Sequence, residues 1–167
     1  IYCEEGAYDT KLQKGNFQKN SIIFYNNKEI RGDSLYFENE IDYAAATNNI
    51  SIIDTLNKSV INGHYGEIFK ARDSAIITRR AMAINIIDQD SLFIHADTLI
   101  ATGPSEKKIL RGYYDVRIFK SDLRGKSDSL HLDQSTGLIK MLKLPLNRKE
   151  NQILTESQKN GRNPILW

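Results

Sequence analysis

The chain has 167 residues, a length that fits one domain. Its formal net charge is +2, and its 23 basic and 21 acidic side chains are spread along the sequence, which excludes the concentrated basic face of a nucleic-acid platform. Apolar runs such as Ile22 to Tyr25 are far shorter than the ~20 residues of a membrane-spanning helix, and the single cysteine excludes an internal disulfide framework.

Apolar and polar residues alternate along most of the chain, and helical periodicity is nearly absent. A period of two is typical of half-buried strands, so we expect an all-β fold. In chain order, the alternation predicts inward positions at Leu35 and Phe37, Ile50 and Ile52, Ile84 and Ile86, Leu92 and Ile94, and Val116 and Ile118. Turn-forming residues separate the runs at 26–27, 48–49, 54–57, 88–90, 103–105, 122–125 and 136–137.

A short motif also recurs: a small residue is followed by an acidic or polar one and preceded, two positions earlier, by isoleucine. Its copies are Ile1 to Glu4, Ile30 to Asp33, Ile61 to His64, Ile94 to Asp97 and Ile153 to Glu156, with a further copy lacking the isoleucine at Gly125 to Asp128. The small residues are 28 to 33 positions apart. This period accommodates two strands of about ten residues with a turn after each, and it predicts units that stack into one continuous core.

The small residue of each unit has a physical explanation. Where a strand bends across a stack, a larger side chain would collide with the next layer. The isoleucine two positions earlier lies on the same strand face and is expected to point inward. Cys3 occupies the small-residue position of the first unit, so we expect it to be a small buried hydrophobe.

These units resemble the repeat of the organic-solvent-tolerance and lipopolysaccharide-transport family, the OstA-like domains. In that family a small-Asp-x-Leu-x-Tyr strand alternates with a Gly-Asn-Val-x-Ile strand. The resemblance extends from Ile1 to about Ile153 and is clearest at Gly32 to Phe37, Asn49 to Asp54, Ser91 to Leu99 and Gly125 to Leu130. The segments 63–67 and 90–99 are most similar to versions found in Bacteroidetes. The chain departs from the pattern at Asn48 and at His64, where the family has Gly and Asp.

The resemblance implies a stacked antiparallel β-jellyroll, or β-taco, that is periplasmic, associated with the outer membrane and free of any cofactor. Family members bind the acyl chains of lipopolysaccharide and dock end to end, with copies of themselves or with other transport proteins. We therefore expect a non-enzymatic carrier of lipopolysaccharide that binds no nucleic acid.

The predicted lipid-binding groove is lined by inward aliphatic side chains. They are Ile30, Leu35, Ile50, Ile52, Ile61, Ile84, Ile86, Ile94 and Leu99. Each buried methylene of an acyl chain contributes ~0.8 kcal/mol, so such a groove needs few polar contacts to hold lipid. Plain core packing is the alternative interpretation for every one of these residues.

The sequence lacks the common motifs of catalysis and metal binding. The sequence has no nucleophile elbow, phosphate-binding glycine loop or zinc-protease helix. The pairs His95 with Asp97 and His131 with Asp133 could ligate a metal, and Asp88 and Asp90 flank a turn; we interpret them as solvent-facing residues and turn formers. Two other functions stay open: a structural or adhesive β-solenoid module, and a parallel β-helix enzyme acting on polysaccharide.

The chain is expected to form one OstA-like domain over residues 1–167. It begins in an apparent strand and ends in the apolar segment Asn163 to Trp167. Both features predict a fragment of a longer polypeptide.

Overall fold

A computed structural model describes residues 1–25, 27–87, 90–104 and 107–143. Ten strands account for most of them: β1 (Glu5–Asp9), β2 (Lys14–Tyr25), β3 (Lys28–Glu38), β4 (Tyr43–Asp54), β5 (Ser59–Phe69), β6 (Ser74–Ile87), β7 (Asp90–Thr102), β8 (Ile109–Lys120), β9 (Leu123–Asp133) and β10 (Leu138–Leu142). A short 3-10 turn lies at Lys70–Arg72, and the described residues hold no helix long and apolar enough to cross a bilayer.

The strands form one antiparallel sheet in which each strand pairs with its neighbours in sequence, in the order β1 to β10. The sheet does not close, because β1 and β10 each pair on one side only within the described residues. The predicted all-β fold is confirmed. A parallel β-helix is wrong as a fold, since every pairing in the described sheet is antiparallel.

A sharp bend crosses the middle of the sheet. On β2, β4, β6 and β8, two consecutive residues have left-handed backbone angles, with φ from 47° to 63°: Lys19 and Asn20, Asn48 and Asn49, Arg79 and Arg80, and Tyr114 and Asp115. The strand register shifts at these positions in every pair from β2–β3 to β8–β9. Extra residues in a ladder bend and twist a strand, so the aligned shifts fold the whole sheet along one line.

The small residues of the sequence repeat lie at this bend. Gly32, Gly63, Ala96 and Ser127 are all buried beside the register shifts of β3, β5, β7 and β9. The predicted reason holds at Gly63, where a Cβ atom would lie 2.4 Å from Ile77 Cγ2.

The structure contradicts two of the sequence predictions, and a third concerns residues that it does not describe. Asn48 and Asn49 form the bend inside β4, so the turn predicted there is wrong. Cys3 is exposed, because it precedes the edge strand β1, whose residues are all solvent-exposed. The unit at Ile153 to Glu156 lies outside the described residues.

The bend divides the sheet into two arms that face each other. Arm 1 comprises residues 21–25, 28–31, 50–54, 59–62, 81–87, 90–95, 116–120 and 123–127, and arm 2 comprises residues 5–9, 14–18, 34–38, 43–47, 65–69, 74–78, 98–102, 109–113, 129–133 and 138–142. Asp54 and Lys108 would be about 40 Å apart in a flat sheet, at opposite strand ends and four strands apart. Their charged groups are 3.9 Å apart, so the sheet is folded over on itself.

One hydrophobic core fills the space between the arms. Arm 1 contributes Ile30, Ile50, Ile52, Ala81, Ala83, Leu92, Ile94, Val116 and Ile118, and arm 2 contributes Phe17, Leu35, Ala46, Ile77, Leu99, Ala101, Leu110, Leu130 and Leu132. Ala96 joins them at the bend. The core runs without interruption from β2 to β9, and this makes it the candidate site.

Candidate functional site

The candidate site is the cleft between the two arms, which are joined by backbone along the bend; we call the opposite side of the cleft the mouth. Six of the nine predicted lining residues lie in its core: Ile30, Leu35, Ile50, Ile52, Ile94 and Leu99. A seventh, Ile61, is half-buried and packs against that core. The alternation within β3, β4, β5 and β7 therefore identified inward positions correctly.

The inward orientation predicted for two residues of β6 is wrong. Ile86 is 53% exposed, and Ile84, two positions earlier, lies on the same outward face of the strand. The alternation predicts them inward because they flank the polar Asn85, but Asn85 is itself the inward residue and only 7% exposed. Register decides otherwise, because Ala83 pairs with the inward Ile61 and Ile94.

The cleft is shut in this structure. Leu92, Ile94, Leu99 and Val116 are each at most 1% exposed. Near β2 to β6 the arms leave a cavity of about 20 Å³, lined by apolar side chains such as Ile30, Leu35 and Ile68. This volume accommodates roughly one water, whereas a benzene-sized guest needs a cavity of about 150 Å³. The groove predicted from the sequence is therefore closed in this state, and a guest of that size requires the arms to separate.

Five side chains, which we call the mouth rim, lie where the apolar lining ends. Each is two residues beyond an inward aliphatic residue on its strand or its extension: Tyr25 beyond Ile23, Lys28 before Ile30, Asp54 beyond Ile52, Lys70 beyond Ile68 and Lys108 before Leu110. The first three belong to arm 1, and the two last-named lysines extend arm 2. The rim is therefore the polar continuation of the inward faces.

Two rim contacts join the arms across the mouth. The ammonium group of Lys70 lies 5.2 Å from the centre of the Tyr25 ring, a cation–π distance. The Lys108 ammonium lies 3.9 Å from Asp54 Oδ2, and Lys28 lies 3.8 Å from the same oxygen. The first contact joins the end of β2 to the end of β5, and the second joins the end of β4 to the start of β8. Each contact thus joins strands three or four places apart in the sheet, so the arms cross at an angle.

The carboxylate of Asp54 is held from several sides. Asn57 donates hydrogen bonds to it from its backbone N–H and from Nδ2, at 3.0 and 2.8 Å. Burial by itself would raise the pKa of Asp54, but these bonds and the charges of Lys28 and Lys108 hold it below its usual value of 3.8. Asp54 is therefore ionised at neutral pH, although only 5% of the residue is exposed.

No metal centre is found in the described part of the chain. Within these residues no group of three or more His, Cys, Asp and Glu side chains could hold an ion. Asp90 accepts hydrogen bonds from the Ser91 backbone N–H and from the Ser121 hydroxyl, which explains it as a residue that stabilises the adjoining strand ends. Asp88 lies outside the described residues.

The mouth rim has no simple signature in the sequence. Its lysines lie among other charged residues, as Lys28 beside Glu29 and Lys108 beside Lys107, and Asp54 is predicted only as a turn residue. The rim residues could have been predicted from their spacing. Each lies two positions from an inward aliphatic residue, where alternation predicts another inward side chain.

Comparison with solved structures finds the same fold in a transport protein. Neither the protein-family models nor the curated protein sequences match the chain. Among the matching structures is LptH, the LptA-homologous periplasmic component of the conserved lipopolysaccharide transport device from Pseudomonas aeruginosa. The TM-score is 0.62 at 9% sequence identity, over 72% of this chain and 90% of LptH. The chain therefore has the LptA-like β-jellyroll fold.

Proposed function

We propose that this chain is a periplasmic lipopolysaccharide-binding module, related to the Bacteroidetes OstA-like domains, that shelters lipid acyl chains between its two arms and passes them towards the outer membrane. The observation that carries the proposal is the uninterrupted apolar interior of a sheet whose arms are joined along one edge only. The fold shared with LptH supports it, as does the repeat that resembles the OstA-like domains.

The interior suits an acyl chain in chemistry and in shape. Its buried lining is aliphatic apart from Phe17 and a few polar side chains such as Asn85 and Ser21. A tail taken up from water gains ~0.8 kcal/mol for each methylene that it buries here. A tail that passes between two such interiors stays out of water in both, so that transfer is nearly neutral in free energy, as passage of lipid along a conduit requires.

Opening requires the arms to separate about the bend. The backbone ladder is continuous along each arm, so separation breaks interior packing and the two rim contacts but few hydrogen bonds of the sheet. The loosest region is the cavity near β2 to β6. Entry therefore begins at the mouth over these strands.

The ends of the stack supply the proposed contacts with other copies or with other transport proteins. β1 and β10 expose unpaired strand edges within the described residues, and such edges accept a strand from another chain. Large apolar side chains are exposed nearby: Tyr2 and Tyr8 at one end, and Leu138 and Leu142 at the other. These features fit a bridge built by end-to-end docking.

The proposal is tested by photo-crosslinking in a Gram-negative host. A photo-reactive amino acid at Ile61 or Ile94 is expected to label lipopolysaccharide, because both side chains face the cleft. The control is the same amino acid at His95, which follows Ile94 and faces the other side of β7. Labelling at His95 alone would show that lipid binds outside the cleft.

Mass spectrometry of the gently purified protein complements the crosslinking. Lipid A in the purified sample supports the carrier function. A lipid-free protein that also gives no crosslink favours the structural or adhesive module.

A further inference from the structure

The mouth rim combines buried charge with an apolar lining in a way that points to a ligand. On the inward face of β3, Lys28 comes two residues before Ile30, and on that of β4, Asp54 comes two residues after Ile52. In the β3–β4 ladder Ile30 lies opposite Ile52, and Lys28 lies opposite Asp54. The inward face of both strands therefore changes from apolar to charged between one inward position and the next. This is the polarity of an amphiphile, whose tail is apolar and whose head is charged.

The charges at the rim do not balance. Asp54 is the only carboxylate within 4 Å of the Lys28 or Lys108 ammonium group among the described residues. Asp73 attracts Lys108 from farther away, and Lys70 adds a third ammonium group that contacts a ring and not a carboxylate. The rim therefore has an excess of positive charge that it does not neutralise internally.

Lys108 is the more buried of the two lysines beside Asp54. Its side chain is 18% exposed, and burial, followed by the repulsion of Lys28, lowers its pKa. Asp54 and Asp73 counteract this shift only in part. A group that carries more negative charge than one carboxylate would relieve the shortage of negative charge around the ammonium.

We propose that Lys28 and Lys108 form the site for the anionic head, a phosphate monoester, of an amphiphile that enters sideways through the mouth, and that this head replaces the carboxylate of Asp54 between the two ammonium groups. The proposal rests on the proposed function, because the tail must occupy the cleft. In the closed state Asp54 bridges the arms. When the phosphate takes its place, the bridge from Asp54 to Lys108 is replaced by one that runs from Lys28 through the phosphate to Lys108.

Phosphate fits the site better than a neutral head does. It presents three oxygens and up to two negative charges, so that it can contact both ammonium groups at hydrogen-bond distance. Asp54 lies 3.8 and 3.9 Å from them, longer than a charge-assisted hydrogen bond of about 2.7–2.9 Å. The carboxylate, although fixed by Asn57, is thus too far from either ammonium group for a charge-assisted hydrogen bond, which leaves both groups available to a stronger anion.

The test compares dodecyl phosphate with dodecyl maltoside, which has a tail of the same length and an uncharged head, by calorimetry below the micelle-forming concentrations. K108Q and K28Q are each expected to weaken dodecyl phosphate binding by about tenfold and to change dodecyl maltoside binding by less than about twofold. D54N is expected to strengthen dodecyl phosphate binding more than dodecyl maltoside binding, because it removes the competing anion. Lys28 is the more exposed lysine, so K28Q keeps the test valid if K108Q does not fold.

D90N and K120Q are the matched controls. Asp90 and Lys120 also form a 3.9 Å pair, but both lie on arm 1 and do not span the mouth. Neither control should change the preference between the two heads.

Three results would contradict the proposal. Equal weakening of both amphiphiles by K28Q and K108Q, or no effect of either, overturns the head site while leaving the cleft as a lipid site. Displacement of dodecyl phosphate by equimolar inorganic phosphate assigns the site to the free anion and overturns the amphiphile. Binding of neither amphiphile by the unaltered protein overturns the proposed function as well.

Discussion

Two isoleucines of neighbouring strands show how the orientation of one side chain determines its contribution to stability. Ile94 is 0% exposed between the arms, and Ile86 is 53% exposed on the outer face of β6. Truncation of a buried isoleucine leaves a cavity, so Ile94→Ala is expected to lower the free energy of unfolding by about 2–5 kcal/mol. Ile86→Ala should cost less than about 1 kcal/mol. Urea denaturation followed by circular dichroism measures both, and equal losses would contradict the assigned faces of β6 and β7.

The small residue at the bend has a steric role that a single methyl group can test. In Gly63→Ala the new Cβ meets Ile77 Cγ2 at 2.4 Å and the Thr78 carbonyl oxygen at 3.1 Å. Neither neighbour is the free end of a long side chain, so we expect a loss of about 1–3 kcal/mol in the free energy of unfolding.

Gly112→Ala is the matched control for Gly63→Ala. Gly112 is also a buried strand glycine, but its nearest neighbours would lie 3.4–3.5 Å from the added Cβ, which is ordinary contact. Alanine restricts the unfolded chain more than glycine does, so this variant should be neutral or slightly stabilised. A similar loss in both variants would show that the bend imposes no special steric limit at Gly63.

At the scale of the strand, the fold depends on paired left-handed residues that turn arm 1 into arm 2. Arg80 has a φ of 63° and an exposed side chain, so its backbone can be tested without disturbing the core. Arg80→Val places a β-branched side chain in this conformation and should cost about 1–2 kcal/mol. Arg80→Gly adopts the same angles freely and should stay within about 0.5 kcal/mol of the unaltered protein. Thermal unfolding separates the two variants, and a tolerated valine would mean that the bend does not need this backbone conformation.

The strands themselves were predictable because burial of one face leaves a period of two in the sequence. This signal was clear in β3, where Ser34 and Tyr36 alternate with Leu35 and Phe37, and in β4, where Ser51 separates Ile50 from Ile52. It failed in β6, where Met82 and Ile84 on one face are as apolar as Ala81 and Ala83 on the other. There the orientation comes from the neighbouring strands, which a local pattern does not contain.

At the scale of the whole molecule, the proposed function requires the arms to part at the mouth. We expect that a covalent link across the mouth blocks uptake of ligand. Tyr25→Cys and Lys70→Cys, in a Cys3→Ser background, place thiols on opposite arms where a cation–π contact now joins them. Reaction with a short bismaleimide should abolish calorimetric binding of dodecyl maltoside.

The control for this experiment links two residues of one arm. Lys120→Cys and Leu123→Cys lie opposite each other in the β8–β9 ladder, so their crosslink leaves the arms free to separate. Ligand binding should persist in this variant. Normal binding in the arm-to-arm crosslinked protein would mean that ligand reaches the protein by another route.

Local patterns along the chain were enough to predict the β class, the period of the units, the small residues at the bend and most of the inward aliphatic side chains. These properties are local, because alternation and bending act on residues that are close along the chain. The outward orientation of Ile84 and Ile86, the closure of the cleft and the meeting of Asp54 with Lys108 arise from the folded sheet as a whole. These depend on strand register and on the crossing of the arms, which bring together residues 54 positions apart in sequence. No local pattern encodes such a distance, because the fold-over of the sheet creates it.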